Sequence, residues 1–290
     1  MTTLVNLLAK LPLRWLHALG SLLGWLAYAL SPSYRAQLRA NADLAGLDAA
    51  QRRAAVAAAG QLVMELPHLW LRPQGQSLGD AVRWEGAEVV DRALAQGRGL
   101  VLLTPHLGGF EAVAQAYAER WGGAAPLTAM YRPAKQAWLR QMEETARNRP
   151  GLLTAPATLS GVRQMIRALR RGETVGLLPD QVPPQGMGVW APFFGRPAYT
   201  MTLATRLVQQ TGAAWLLMEA QRLPHGEGYV ARVSVPREAL PLAVTDGADL
   251  AVACATRVNE EMESLIRRNP TQYLWGYKRY KQPRAGLDAA

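Results

Sequence analysis

A chain of 290 residues holds one large α/β domain, or such a core with a helical appendage, and buries a substantial interior. The single cysteine, Cys254, excludes an intrachain disulfide. Four widely separated histidines (His17, His68, His106, His225) show no metal-ligand spacing, so no structural zinc site is expected. With 32 Lys and Arg against 22 Asp and Glu the net charge is +10, which favours an anionic partner: nucleic acid, an anionic membrane surface, a phosphorylated lipid or an acidic carrier protein.

Residues 15–30, WLHALGSLLGWLAYAL, carry no formal charge, with Lys10 and Arg14 before the run and Arg35 and Arg39 after it. The run is about four residues short of a comfortable transmembrane span. It reads in three ways: an interfacial or short spanning anchor with Trp15, Trp25 and Tyr28 at headgroup level, a signal peptide cleaved near Ala27-Tyr28-Ala29, or a buried helix. The late position of the basic residues weakens the signal-peptide reading. Residues 1–32 are therefore taken as a membrane-anchor helix and 33–290 as the main domain.

Residues 34–72 read as helical, with breaks near Asn41–Asp48 and at Pro67 and Pro73, followed by a Gly-, Gln- and Pro-rich linker. From Val82 the pattern alternates. Strands are expected at 82–84, 99–104, 127–131, 152–155, 174–178, 215–220 and 229–235. Helices are expected at 87–95, 109–121, 136–147, 160–171, 201–210 and 249–268. The segment from Val182 to Tyr199, dense in Pro and Gly, reads as an irregular functional loop. The alternation implies a mixed, largely parallel central sheet flanked by helices.

Ligands of open α/β sheets collect beyond the carboxyl ends of strands. One such end reads Thr104-Pro-His106-Leu-Gly-Gly-Phe-Glu111. Across a loop-to-helix turn a carboxylate can meet the imidazole, fix its tautomer and leave the other nitrogen to take a proton from a hydroxyl. The plain alternative is a capping His and a solvated first-turn acid, because the spacing alone is weakly specific. Cys254, in the last helix, reads as core rather than nucleophile.

Five blocks, taken in order, resemble the late (lauroyl/myristoyl) acyltransferases of lipid A biosynthesis, which belong to the His-x-x-x-x-Asp/Glu acyltransferases. They are Thr104 to Glu111, Met130-Tyr131-Arg132-Pro133, Leu178-Pro179-Asp180-Gln181, Pro192-Phe193-Phe194-Gly195, and Gln272-Tyr273-Leu274-Trp275 with Tyr277-Lys278-Arg279-Tyr280-Lys281. The resemblance spans nearly the whole chain and implies a lipopolysaccharide-biosynthesis enzyme at the cytoplasmic face of the bacterial inner membrane. It implies acyl-acyl carrier protein as donor, a lipid A precursor as acceptor, and no cofactor. It maps the catalytic base and its carboxylate onto His106 and Glu111, a family arginine onto Arg147, and the acid of the Pro-Asp block onto Asp180. The C-terminal block often carries a His that is absent here, so a headgroup-binding role for Arg279 is carried over loosely.

The residues suggest further roles beside the resemblance. An Arg such as Arg147, or the Gly108 and Gly109 amides, would serve an oxyanion. Arg132 either binds phosphate or caps the sheet. Asp180 orients a neighbouring Arg or the acceptor, unless it is a turn residue. Basic runs at Arg163, Arg167, Arg170 and Arg171, and near the C-terminus, are either a solvated face or an electrostatic aid to anionic substrates. No nucleic-acid motif accompanies them. Acylation of another glycolipid such as a mannosylated inositol lipid, thioester hydrolysis by the same His–Glu pair, and membrane binding without catalysis are the rival readings.

Overall fold

The computed structural model describes residues 7–73, 75–131, 149–243 and 249–284. The expected 136–147 helix, Arg132 and Arg147 lie outside the described residues.

Helix α1, Leu13–Leu30, is 18 residues long, about 27 Å at 1.5 Å per residue. Among the described residues no helix is long and apolar enough to cross a membrane, so the spanning form of the expected anchor finds no support. Instead α1 lies along α3, Ala49–Trp70, and the two backbones meet at glycines. A Cβ on Gly60 would stand 1.9 Å from the Gly20 carbonyl oxygen, and one on Gly24 would stand 2.4 Å from that of Val56. That side buries Leu16 and His17. The opposite side exposes Trp15 (59 %), Leu22 (65 %), Trp25, Leu26 and Leu30 (73 %), an apolar face without cover among the described residues.

Between them runs α2, Pro32–Leu44, capped by the Ser31 side chain on the Tyr34 amide. The expected break follows at 45–48, where Asp48 and Gln51 form a reciprocal capping box that starts α3. The expected break at Pro67 does not occur. Pro67 sits in the last turn of α3, where its missing N–H costs a single ladder bond, and the helix continues to Trp70.

The main sheet has seven strands: β1 Val82–Glu85, β2 Leu100–Leu103, β3 Leu127–Tyr131, β4 Leu152–Pro156, β5 Thr174–Leu177, β8 Ala214–Arg222 and β9 Tyr229–Ser234. Their spatial order is β1-β9-β8-β2-β5-β3-β4. All neighbouring pairs are parallel except β8 with β9, which makes the sheet mixed and largely parallel as the alternation implied. Strand β2 is central and buried along its whole length. Leu100 and Leu102 pack into the layer of α3, α4 (Ala87–Leu94) and α5 (Phe110–Trp121), where Val90, Val113 and Tyr117 meet them. Val101 and Leu103 face the layer of α6 (Leu159–Arg170), α7 (Leu203–Thr211) and α8 (Leu250–Arg268), with Met165, Leu207 and Met262.

The Pro- and Gly-rich segment expected to be an irregular loop is largely a two-stranded antiparallel hairpin. Strand β6, Gly188–Phe193, pairs with β7, Arg196–Met201. Phe194 and Gly195 turn the chain with φ of 48° and 74°. Pro192 and Pro197 face each other in the ladder, so two missing N–H groups coincide at one rung of a separate ribbon instead of breaking a sheet.

Candidate active site

The register of the central strands assembles the site. Leu103 of β2 pairs with Leu177 of β5, and the chain runs three residues beyond each to His106 and Asp180. Residues 74 apart in sequence thereby reach the same level at adjacent carboxyl ends. The Asp180 carboxylate spans the His106 residue: Oδ1 is 2.8 Å from ring Nδ1, and Oδ2 accepts from the His106 backbone N–H at 3.0 Å. The Phe110 ring stands edge-on to the imidazole at 5.2 Å and limits its rotation.

Asp180 is 2 % exposed. Burial alone would raise its pKa. The charge of His106, the hydrogen bonds from its ring and its backbone N–H, and then the charge of Arg279, outweigh that and hold the carboxyl below its ordinary value. An ionised Asp180 accepts, so in the neutral ring Nδ1 carries the proton and Nε2 presents a lone pair. The Gln181 amide nitrogen lies 3.0 Å from Nε2 and donates to it. The Tyr273 hydroxyl, fully buried, is pushed well above its ordinary pKa by burial and then by the nearby Asp180 charge, so it stays protonated.

Behind the ring, the 106–109 loop is tied down at every residue. Leu107 bridges Tyr273, and Leu274 N–H donates to the His106 carbonyl. Gly108 N–H donates to the Gln272 carbonyl at 3.1 Å and Gly109 N–H to the Ala220 carbonyl at 3.0 Å. The Gly108 carbonyl accepts from Arg222 Nη2 at 3.1 Å. The same guanidinium makes two 2.8 Å bonds to Glu65 of α3, fully buried, and Glu65 also takes His17 of α1 at 3.2 Å and the Tyr229 hydroxyl at 3.1 Å. Burial would raise the Glu65 pKa, but Arg222 and then His17 hold it down. A chain of polar contacts therefore runs from α1 to the loop that carries His106.

In front of the ring opens a cavity of about 570 Å³, lined mainly by apolar side chains from the strand ends, α5, α6, α7 and the 182–187 segment, with Thr104, Arg206 and Gln210 among its polar members. His106, Glu111 and Gln181 lie on its wall, while Leu127, Leu152 and Leu207 form its apolar reaches. The described lining begins at Leu102 and ends at Met218, with Phe110, Glu111 and Ala114 of α5 among it. It forms where the parallel strands end and α5 and α6 diverge. Among the described residues no group of three or more His, Cys, Asp or Glu converges as metal ligands would.

Several expectations change position in this geometry. Glu111 reaches the cavity, where its Oε2 accepts from Trp70 Nε1 at 3.3 Å, but the ring-bound carboxylate is Asp180. Gly108 and Gly109 permit a close approach, and what approaches is the protein itself. A Cβ on Gly108 (φ 55°) would stand 1.7 Å from the Ala220 carbonyl, and one on Gly109 would stand 2.2 Å from the Tyr229 ring. Their amides are spent and are not free for an oxyanion. Arg279 is 2 % exposed, its guanidinium donating to the Tyr199 carbonyl and the Thr200 hydroxyl, both at 2.7 Å, and stacked over Phe193. It is an internal brace whose charge reaches Asp180, not a headgroup ligand at the surface. Sequence reading assigned no role to Gln181, Glu65, Arg222 or Gln272. Gln181 at least stood beside Asp180 in a recognised block, whereas Glu65 and Arg222 meet only through the tertiary fold.

The family model described as bacterial lipid A biosynthesis acyltransferase matches residues 1–282. The chain is 27 % identical over 294 aligned positions to the lipid A biosynthesis lauroyltransferase of Escherichia coli strain K12, covering 97 % of this chain and 90 % of that one. It is 26 % identical over 226 positions to the palmitoleoyltransferase of the same organism, 77 % of this chain and 68 % of the other. It is also 32 % identical over 130 positions to a lipid A biosynthesis acyltransferase of Haemophilus influenzae, 41 % of this chain and 37 % of the other. With a family model matched along almost its entire length, the chain belongs to the bacterial lipid A biosynthesis acyltransferases.

Proposed function

We propose that this enzyme transfers a fatty acyl chain from an acyl-acyl carrier protein to a hydroxyl of a lipid A precursor, with His106 as general base. The observation that carries the reading is the His106 ring, held through Nδ1 by ionised Asp180 with Nε2 turned to an apolar cavity. The acceptor hydroxyl gives its proton to Nε2 as its oxygen attacks the thioester carbonyl. Asp180 stabilises the imidazolium that forms. The tetrahedral intermediate collapses, the C–S bond breaks, and the leaving thiolate takes the proton back from His106. Glu111, on the same wall, is a second carboxylate acting on the acceptor or the proton path. Arg147, outside the described residues, is the proposed cation for the oxyanion. The acyl chain lies in the cavity, and the exposed Trp and Leu face of α1 rests in the interfacial layer of the inner membrane on its cytoplasmic side.

The test is acyl transfer by the purified protein in detergent, from a panel of acyl-carrier thioesters to a lipid A precursor, with product read by mass spectrometry. Acylated lipid from the wild type and none from His106→Ala is expected. Free fatty acid without acylated lipid would replace the reading by thioester hydrolysis, and equal product from His106→Ala would overturn the mechanism.

A further inference from the structure

Nε2 of His106, the atom on which acyl transfer depends, is already occupied. The Gln181 amide nitrogen lies 3.0 Å away and donates to its lone pair, which is the lone pair the acceptor hydroxyl needs. The two cannot be there together. Gln181 stands between two anchored residues: the Asp180 carboxylate takes two bonds from His106, and the Val182 N–H donates to the Tyr277 hydroxyl at 3.0 Å. The main chain therefore stays, and only the Gln181 side chain turns as the acceptor enters.

A displaced amide in an apolar cavity carries a strong penalty until it finds a new acceptor. Such an acceptor arrives with the reaction. The attacking oxygen sits about 2.8 Å from Nε2, and the thioester carbonyl oxygen, one carbon beyond, falls within a side-chain swing of the amide it replaced. The backbone N–H groups of the 106–109 loop cannot serve that oxygen, because they bond to Asp180, Pro105, Gln272 and Ala220 in turn. Resting on the acyl-transfer reading above, we infer that Gln181 is a catalytic residue that changes partners during turnover. It caps His106 Nε2 at rest and donates to the developing oxyanion in the transition state.

Gln181→Ala and Gln181→Glu decide the matter in the acyl-transfer assay, with kcat, the acceptor KM, the pH profile and the thermal midpoint measured together. Gln181→Ala is expected to lower kcat about 10²–10³-fold, as loss of one oxyanion donor does, and to leave the acceptor KM unchanged or lower, since a competing cap is gone. Gln181→Glu keeps the shape but loses the N–H. It is expected to lose at least as much kcat and to move the acid limb of the profile to higher pH, because a carboxylate beside the ring favours imidazolium. A kcat in Gln181→Ala equal to or above the wild type overturns the inference. So does a loss that tracks a fall in thermal midpoint with the Gln181→Glu pH profile unmoved. Should the wild type release only free fatty acid, the acceptor assignment fails by itself, and the same kcat comparison on hydrolysis still decides the role of Gln181.

Discussion

At the scale of the residue, Asp180 couples catalysis to acid stability. Its folded pKa is depressed, so the stability it adds is fully present above its unfolded value near 3.9 and is lost as pH falls through the folded one. The wild type should therefore lose thermal stability progressively below about pH 4, and Asp180→Asn should show a flatter profile there. Parallel profiles would mean that Asp180 gains nothing from its surroundings. In the acyl-transfer assay Asp180→Asn should lower kcat by about 10⁴, because an amide stabilises neither the tautomer nor the imidazolium. Both His106 and Asp180 were legible in the sequence as polar residues at strand ends. Their pairing was not, because it depends on β2 and β5 lying side by side, a matter of strand order that no local pattern records. Glu111 was mapped to the ring by the family resemblance, while the carboxylate hydrogen-bonded to it comes from 74 residues on. Arg279 read as a surface cation because it stands among other basic residues, and only the packed fold turns it inward.

At the scale of the element, the α1–α3 seam shows what periodicity can and cannot reveal. The run from Trp15 to Leu30 looks apolar on all sides, so its length and lack of charge were plain, but its buried stripe is written in glycines, which hydropathy scarcely registers. Gly20 and Gly24 close on Gly60 of a helix that begins almost twenty residues after α1 has ended, and no alternation announces that partner. Gly60→Leu places a side chain where a carbonyl oxygen already stands. It should lower the thermal midpoint by about 5–10 °C, and it should reduce activity beyond that loss, since His17 and Glu65 relay the seat of α1 to the catalytic loop. An unchanged midpoint would mean that the helices are not in contact there. The β6–β7 hairpin was missed for the opposite reason. Its prolines and glycines argue against a strand in a continuous sheet, and they are tolerated in a ribbon of two strands.

At the scale of the whole molecule, the distribution of charge sets one face apart. Many surface arginines are matched by acids: Arg171 by Glu173, Arg257 by Glu238, Arg267 by Glu263 and Arg268 by Glu219. Arg163, Arg167 and Arg170 are exposed along one side of α6 with no ion pair among the described residues, and the same helix begins with Leu159 and Val162 at the cavity wall. An acidic carrier delivering its chain into that cavity would meet this stripe. Reversing the three charges to Glu should raise the KM for the carrier thioester by about tenfold or more at low salt and much less at high salt, with kcat at saturation retained. An unaltered KM would place the carrier elsewhere. The layered α/β plan itself was readable from alternating apolar segments; the antiparallel step between β8 and β9 and the course of the cavity were not, since both follow from which strands become neighbours. One consequence reaches beyond catalysis. Because His106 and Asp180 each stand three residues past a paired rung, the site counts residues only over those short overhangs. The meeting of imidazole and carboxylate is indifferent to how many residues separate the two strands, whereas deleting one residue between Leu103 and His106 would turn the imidazole away from its carboxylate and end the lineage's chemistry.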